Sequence, residues 1–280
     1  MRRLAFVLIL ALCWFCAFGP NFALAQSADE VLKQVTRNRP QPDTLKAVYD
    51  LYLPQGDPNT SPEAATIRET VYFRTPDRIR LNLSWPDREE VFLAAGIRTL
   101  VLVGDQAART PWPQPFPLYR LLIESDPDEM QRLLSAFDVD LKTVTTATYH
   151  RQPVVIIGAD AKESARSQVW FDRNEHRLVR LILAHPGETR VSDVVLDNYK
   201  TYDQGIQWPG TIQVRTDNQP VSELTLRQLT VNPRIDQEDL DLETLSRTVA
   251  APPESETEPS EDPEMEQIRK QMKWLENKLK

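Results

Sequence analysis

From Leu45 onward, apolar side chains recur at every second position of the chain. LKAVYDLYL sets Leu45, Ala47, Tyr49, Leu51 and Leu53 against Lys46, Val48, Asp50 and Tyr52. RIRLNLSW sets Ile79, Leu81, Leu83 and Trp85 against Arg78, Arg80, Asn82 and Ser84. Period two places one set on a single face of a strand. Similar runs follow at short spacing: IRETVYF, EVFLAA, RTLVLVG, LKTVTTATYH, QPVVIIGAD, SQVWFD, RLVRLILA, TRVSDVVLDNY, IQWPGTIQVRT and SELTLRQLTVN. Turn chemistry separates them, including Thr75-Pro76-Asp77, Trp85-Pro86-Asp87, Arg173-Asn174-Glu175 and Asp203-Gln204-Gly205. The rhythm is that of an antiparallel meander with no βαβ units. About eleven strands are too many for a flat sheet. The pattern therefore predicts a mainly β fold whose single curved antiparallel sheet closes into a barrel or part of one.

Helical spacing breaks in at a few places. SADEVLKQV begins with Ser27, three residues before Glu30, a capping box ahead of the stripe Val31, Leu32, Val35. In DPDEMQRLLSAF, Asp126 is placed to cap, Pro127 to take the first helical position and Glu129 to complete a capping box, with Leu133, Leu134 and Phe137 on one side. Between the two halves, TPWPQPFPLYRLLIES carries Pro111, Pro113, Pro115 and Pro117, which denies it regular strand pairing. After Ala250 the composition turns to Pro, Ser and Glu, which predicts a disordered acidic linker over 250–263. Residues 264–280 then set Met265, Ile268, Met272, Leu275 and Leu279 at spacings of three and four, the seam of an amphipathic helix separate from the domain. A helix this short gains its stability by docking, on a second copy, another protein or a membrane surface, unless it is a fraying tail.

The amino terminus changes the compartment. Arg2 and Arg3 precede an apolar run from Leu4 to about Phe18, and Ala23-Leu24-Ala25 supplies a small-residue cleavage signal. This reads as a signal peptide over 1–25, cut near Ala25/Gln26, with a lone membrane anchor as the rival. The domain organisation expected is thus a 26–249 half-barrel between the signal peptide and the linker. Cys13 and Cys16 both lie in the leader, so the exported chain carries no thiol for a disulfide, a nucleophile or a Cys-based metal site. Losing residues 1–25 moves the formal charge from -8 to -10. So acidic a chain is a poor partner for nucleic acid, whose binding depends on neutralising phosphates.

Enzyme motifs are missing from the sequence: there is no His-Glu-x-x-His, no Gly-x-Ser-x-Gly and no Gly-rich phosphate loop. His150, His176 and His185 are scattered, and the pairs Glu89/Glu90, Asp138/Asp140 and Asp239/Asp241 read as solvated faces and caps. The pattern predicts a non-enzyme without cofactor or metal. Large apolar residues on strands and lid are the remaining candidates: Leu81, Leu83, Trp85, Leu100, Leu102, Trp170, Leu181 and Trp208, with Leu133 and Phe137 from the lid. They are equally readable as the wall of a cavity and as ordinary core, and a register slip of one residue inverts any strand.

VYFRTPDRIRLNLSW resembles the aromatic-x-Arg-x-Pro-x-x-hydrophobic-Arg strand pair of bacterial lipoprotein-carrier proteins of the LolA/LolB type, through Phe73, Arg74, Pro76, Ile79 and Arg80. SQVWFDRNEHRLVRLIL is similar to that family's late hairpin, and DNYKTYDQGIQWPGTIQV, with Trp208-Pro209, and LTVNPRID follow in order. The resemblance covers about residues 27–245. It implies a mainly β fold with a helical lid, a single curved antiparallel sheet forming an incomplete, half-open barrel, and a periplasmic carrier that shelters lipoprotein acyl chains or another lipid in its apolar cavity for transfer to the outer membrane. Transport proteins of the inner and outer membranes would then be its handover partners. A related branch implies the alternative, an envelope-stress regulator or scaffold holding a protein partner, here through the terminal helix. The acidic linker and terminal helix depart from the family domain, as does the Pro-rich run.

Overall fold

The computed structural model describes residues 26–37, 39–54, 67–96, 98–104, 106–108, 116–184 and 190–248. The expected leader, the linker and the terminal seam Met265, Ile268, Met272, Leu275 and Leu279 lie outside the described residues, as does Pro111 to Pro115.

Alternation yields strands along the whole described chain. They are β1 (Thr44–Tyr52), β2 (Ile67–Arg74), β3 (Arg78–Ser84), β4 (Glu89–Ala95), β5 (Arg98–Val103), β6 (Gln106–Ala107), β7 (Val144–Tyr149), β8 (Gln152–Ile157), β9 (Gln168–Asp172), β10 (Leu178–Ala184), β11 (Val191–Asp197), β12 (Lys200–Thr201), β13 (Gln207–Trp208), β14 (Thr211–Thr216) and β15 (Gln219–Val231). Thirteen of them form one sheet in the order β6-β5-β4-β3-β2-β1-β15-β14-β11-β10-β9-β8-β7, and β12 and β13 pair separately. Every adjacent pair is antiparallel. The edges β6 and β7 do not meet, so the sheet stays open. Two sequential meanders join where β15 returns to pair with β1, with a register shift between Val48 and Tyr49. Among the described residues, the two-residue strands β6 and β12 are the ones that alternation does not mark.

Among the described residues there are four α-helices: α1 (Ala28–Thr36), α2 (Phe116–Ile123), α3 (Pro127–Ala136) and α4 (Leu242–Thr248). The α1 capping box forms as the spacing predicts, Glu30 N–H donating to Ser27 Oγ and Ser27 N–H to the Glu30 carboxylate. At α3, Asp126 caps and Pro127 leads, but the box does not close. Asp126 N–H donates to Glu124 Oε1 at 3.0 Å, while Glu129 turns to Arg120 and Arg132. Helix α2 departs from expectation, for a helix stands where prolines argue only against strands. Pro117 falls in its first turn, where a missing N–H breaks no helical hydrogen bond, and LYRLLI supplies the apolar stripe.

Topology explains where the helices sit. The crossing from edge strand β6 to edge strand β7 carries α2 and α3 over one face of the sheet, and α1 enters that face just before β1. Val31, Leu32 and Val35 of α1, Leu118 and Leu121 of α2 and Met130, Leu133 and Leu134 of α3 share one core with the strands. This inner face is the expected lid over a half-barrel. The outer face is different: residues 233–248 run back across it, with Arg74 Nη2 donating to Ile235 O at 2.5 Å and Arg80 Nη1 to Asp239 O at 3.0 Å. Leu242 and Leu245 of α4 pack there on Val91, Leu93 and Leu102.

Candidate functional site

The inner face is built as transverse rows. Pairing aligns Ala47, Val71, Leu81, Phe92 and Val101 across β1 to β5. One row further along, Tyr49 stands beside Glu69 and Glu69 beside Leu83. The rows continue into Leu224, Ile212, Val214, Val194, Leu181, Phe171 and Val155 on the other half of the sheet. Burial of each such Leu, Ile or Phe stabilises by roughly 1.5–3 kcal/mol.

Six of the ten residues expected to form one apolar wall meet in this core. Leu81, Leu83 and Leu181 come from the sheet, Trp208 from β13, and Leu133 and Phe137 from the helical side. Trp85 packs half-buried at its margin, with the Arg88 guanidinium 4.2 Å from its ring centroid. Leu100, Leu102 and Trp170 do not join them. Leu100 and Leu102 lie on the outer face under α4, and Trp170 lies in a second outer cluster with Val154 and Ile156. Arg180, fixed by a bidentate pair to Asp193 at 2.8 Å, covers Trp170 from 4.8 Å. Both faces of these strands are buried, so side-chain size alone assigned the wrong phase.

The interior is filled by the protein's own side chains. Leu81 is fully buried, and Leu181 and Trp208 are 1% exposed. Among the described residues this inner face is packed against the helices, on a sheet that stays open. What opens beneath the helices is a cleft of about 200 Å³. It lies between the end of α1, the carboxyl end of α2, the β9–β10 hairpin and residues 199–208, with Trp208 and Leu178 on its floor.

A polar seam crosses the apolar face. Glu69, 1% exposed, accepts a short hydrogen bond from the Tyr119 hydroxyl of α2. Desolvation lifts the Glu69 carboxyl to about 7, although the Tyr119 bond favours its charged form. Trp208 Nε1 donates to the Tyr49 hydroxyl at 2.5 Å, and the Tyr49 and Tyr119 rings lie 6.3 Å apart. Burial pushes both phenols well above their usual range, so both stay neutral donors. Arg39 ties α2 down at its other end, Nη1 donating to Leu121 O and Glu124 O at 2.7 Å each. Desolvation lowers its pKa to about 10.

Glu69, Tyr119 and Arg39 escaped the reading of the sequence. The signal for Glu69 was present: IRETVYF alternates Ile67, Val71 and Phe73 in phase, and Glu69 is the one acid in that phase. Nothing in the sequence marks Tyr119 or Arg39 as its counterparts across the core. Among the described residues, no three His, Cys, Asp or Glu side chains gather to hold a metal, and no helix is long and apolar enough to cross a membrane.

No protein-family model matches the chain, and no curated protein matches it. Solved structures do. A domain described as an outer membrane lipoprotein-sorting protein, from Vibrio parahaemolyticus, superposes with a TM-score of 0.51 at 12% identity, covering 78% of this chain and 98% of that one. A LolA superfamily protein from Nitrosomonas europaea superposes with a TM-score of 0.50 at 13% identity, covering 78% of this chain and 99% of its own. The resemblance carried by Phe73, Arg74, Pro76, Ile79 and Arg80 therefore holds at the level of architecture: the chain has the open, helix-covered antiparallel sheet of LolA superfamily proteins.

Proposed function

We propose that this chain is a non-enzymatic periplasmic carrier, sheltering the acyl chains of a lipoprotein or another lipid against the inner sheet face and passing them towards the outer membrane. The observation that carries this reading is the asymmetry of the inner face. It is an apolar surface across an open sheet, crossed by the Glu69–Tyr119 seam, and its cover is a set of helices rather than a second sheet. Side chains such as Tyr119 and Arg39 hold that cover. A fold shared with a domain described as lipoprotein-sorting supports the same reading.

The energetics favour an exchange. An acyl chain leaving a membrane forfeits about 0.8 kcal/mol for each CH₂ and needs a comparable apolar surface to receive it. The interior is filled, so uptake requires α2 and α3 to withdraw and lipid to take the place of Leu118, Leu121, Leu133 and Phe137. Apolar contact is replaced by apolar contact, and the net cost stays small. Leu81, Leu83, Leu181 and Trp208 form the fixed wall in this scheme.

Displacement of a fluorescent fatty acid tests it. Leu83→Glu and Leu181→Glu are expected to weaken binding at least about tenfold, equivalent to about 1.4 kcal/mol, with folding checked by circular dichroism. Leu100→Glu on the outer face leaves affinity within about twofold, since 1.4 kcal/mol is the scale of a tenfold change. Equal effects at inner and outer positions, or no binding by the parent chain, count against the carrier.

A regulatory or scaffold role through residues 264–280 is the alternative. It is favoured by one observation: α4, the last described element, anchors on the outer face, opposite the surface proposed for lipid. Truncation at Pro252 separates the readings, because a carrier keeps its lipid uptake and a scaffold loses its partner.

A further inference from the structure

The cleft beneath the helices has a chemistry that acyl chains do not use. Its floor is apolar, but its rim carries Arg37, Arg39 and Arg177, with Glu175 as the one carboxylate among the residues that line it. Three guanidinium groups against one carboxylate leave a surplus of two positive charges.

The guanidinium groups are only partly committed. Arg177 lies 5.1 Å from the Tyr199 ring centroid, and its Nε is buried without a hydrogen-bond partner. A buried donor left unpaired keeps its desolvation cost uncompensated, so an acceptor arriving there is favoured. The local frame holds that group in place: Tyr199 Oη donates to Leu178 O at 2.6 Å, and Asp172 Oδ1 accepts from Asn174 N and Glu175 N at 2.7 and 2.9 Å to fix the hairpin. Arg39 spends Nη1 on the carboxyl end of α2. Arg37 stands exposed at the mouth. Glu175 is the competing acceptor, and it takes Gln207 Nε2 at 3.4 Å.

Size narrows the ligand. The volume of about 200 Å³ lies below the ~300–1,000 Å³ of pockets that enclose drug-sized molecules, yet far above the ~10–15 Å³ that one water needs. That space suits a head group and not several acyl chains. A phosphate monoester carries roughly -1.5 to -2 charges at pH 7, which matches the surplus, and guanidinium forks pair with phosphate oxygens in bidentate geometry.

We propose that this cleft is an anion site that takes a dianionic phosphate group through Arg177 and Arg37, with Arg39 beside them. The phosphate belongs either to the head group of an amphiphile or to a free ion. The site is distinct from the inner face assigned to acyl chains and does not rest on that assignment.

Calorimetric titration of the exported chain with three probes tests this: inorganic phosphate, dihexanoyl phosphatidic acid and dihexanoyl phosphatidylcholine. Phosphatidic acid is expected to bind at least tenfold more tightly than phosphatidylcholine. Arg177→Met weakens it by tenfold or more, Arg37→Met by severalfold, and Arg177→Lys recovers part of the loss. Phosphate binding as tightly as phosphatidic acid supports the site with a free ion as its ligand, whereas much weaker phosphate supports it with a lipid head group. The proposal is overturned if phosphatidylcholine binds as well as phosphatidic acid, or if both methionine variants keep full affinity. Uptake of an uncharged pyrene-labelled fatty alcohol, measured in parallel, reports the acyl site alone, so either assignment can fail without the other.

Discussion

Glu69 is a carboxyl group whose ionisation the fold controls by burial. It stands between Tyr49 and Leu83 in an apolar row, with Tyr119 as its hydrogen-bond donor. Its pKa rises from 4.5 in the unfolded chain to about 7 in the folded one. Between those values the folded state holds a proton that the unfolded state has lost. Stability from this group is therefore complete below about pH 4.5, falls as pH rises towards 7 and stays lost above it. The span corresponds to on the order of 3 kcal/mol, at 1.36 kcal/mol for each pH unit. Thermal unfolding followed from pH 5 to 8 should show the melting temperature of the parent falling by several degrees through this mechanism. Glu69→Gln keeps the shape and the acceptor for Tyr119, and its melting temperature should change least over the same range. Parallel curves for the two proteins would remove Glu69 from this role. The residue was legible as an anomaly of phase and not as a partner, because Tyr119 reaches it from fifty positions away in the chain.

Among elements, α2 decides whether the inner face can open. It is short, follows a Pro-rich run and is held at two points: Tyr119 to β2 through Glu69, and its carboxyl end to Arg39. Hydrogen bonds from a charged donor contribute about 1.5–3 kcal/mol. Arg39→Met should therefore lower hydrogen-exchange protection across residues 118–124 by about tenfold or more, since 1.4 kcal/mol is a factor of ten, and leave β1, β14 and β15 unchanged. It should also speed fatty-acid uptake. Unchanged protection in α2, or loss spread evenly over the sheet, would show that Arg39 is not its tether. This helix was hidden in the sequence because four prolines speak against strands without speaking for a helix, and Pro117 is tolerated only by its place in the first turn. Helices α1 and α3 were legible, since Ser27 and Asp126 both cap where expected. The Glu129 box failed because Glu124, outside the motif, reaches the Asp126 N–H first.

For the whole molecule, alternation was informative where one face meets the core and the other meets water or polar chain. Ile79, Leu81 and Leu83 turn inward while Arg80 and Asn82 hydrogen-bond outside at 2.7 Å. It lost its meaning in β4, β5, β8 and β9, where α4 or the Arg180 cover buries the second face too, and this is how Leu100, Leu102 and Trp170 changed sides. Topology was legible as a meander, but the return of β15 to β1 rests on pairing between chain ends that no local pattern encodes. The resulting architecture has two unlike faces, one apolar beneath α1, α2 and α3 and one crossed by the passage of residues 233–248. The central claim is that lipid enters the first by displacing those helices. Photo-cross-linking of the chain lacking residues 1–25 with a diazirine-bearing fatty acid, read by peptide mass spectrometry, tests it most directly. Adducts concentrated on β1 to β3, β10, β14 and the inward sides of α2 and α3 are the predicted result. Adducts confined to the outer face around Leu102 and Trp170, or none above the level of an unrelated acidic protein, would contradict it.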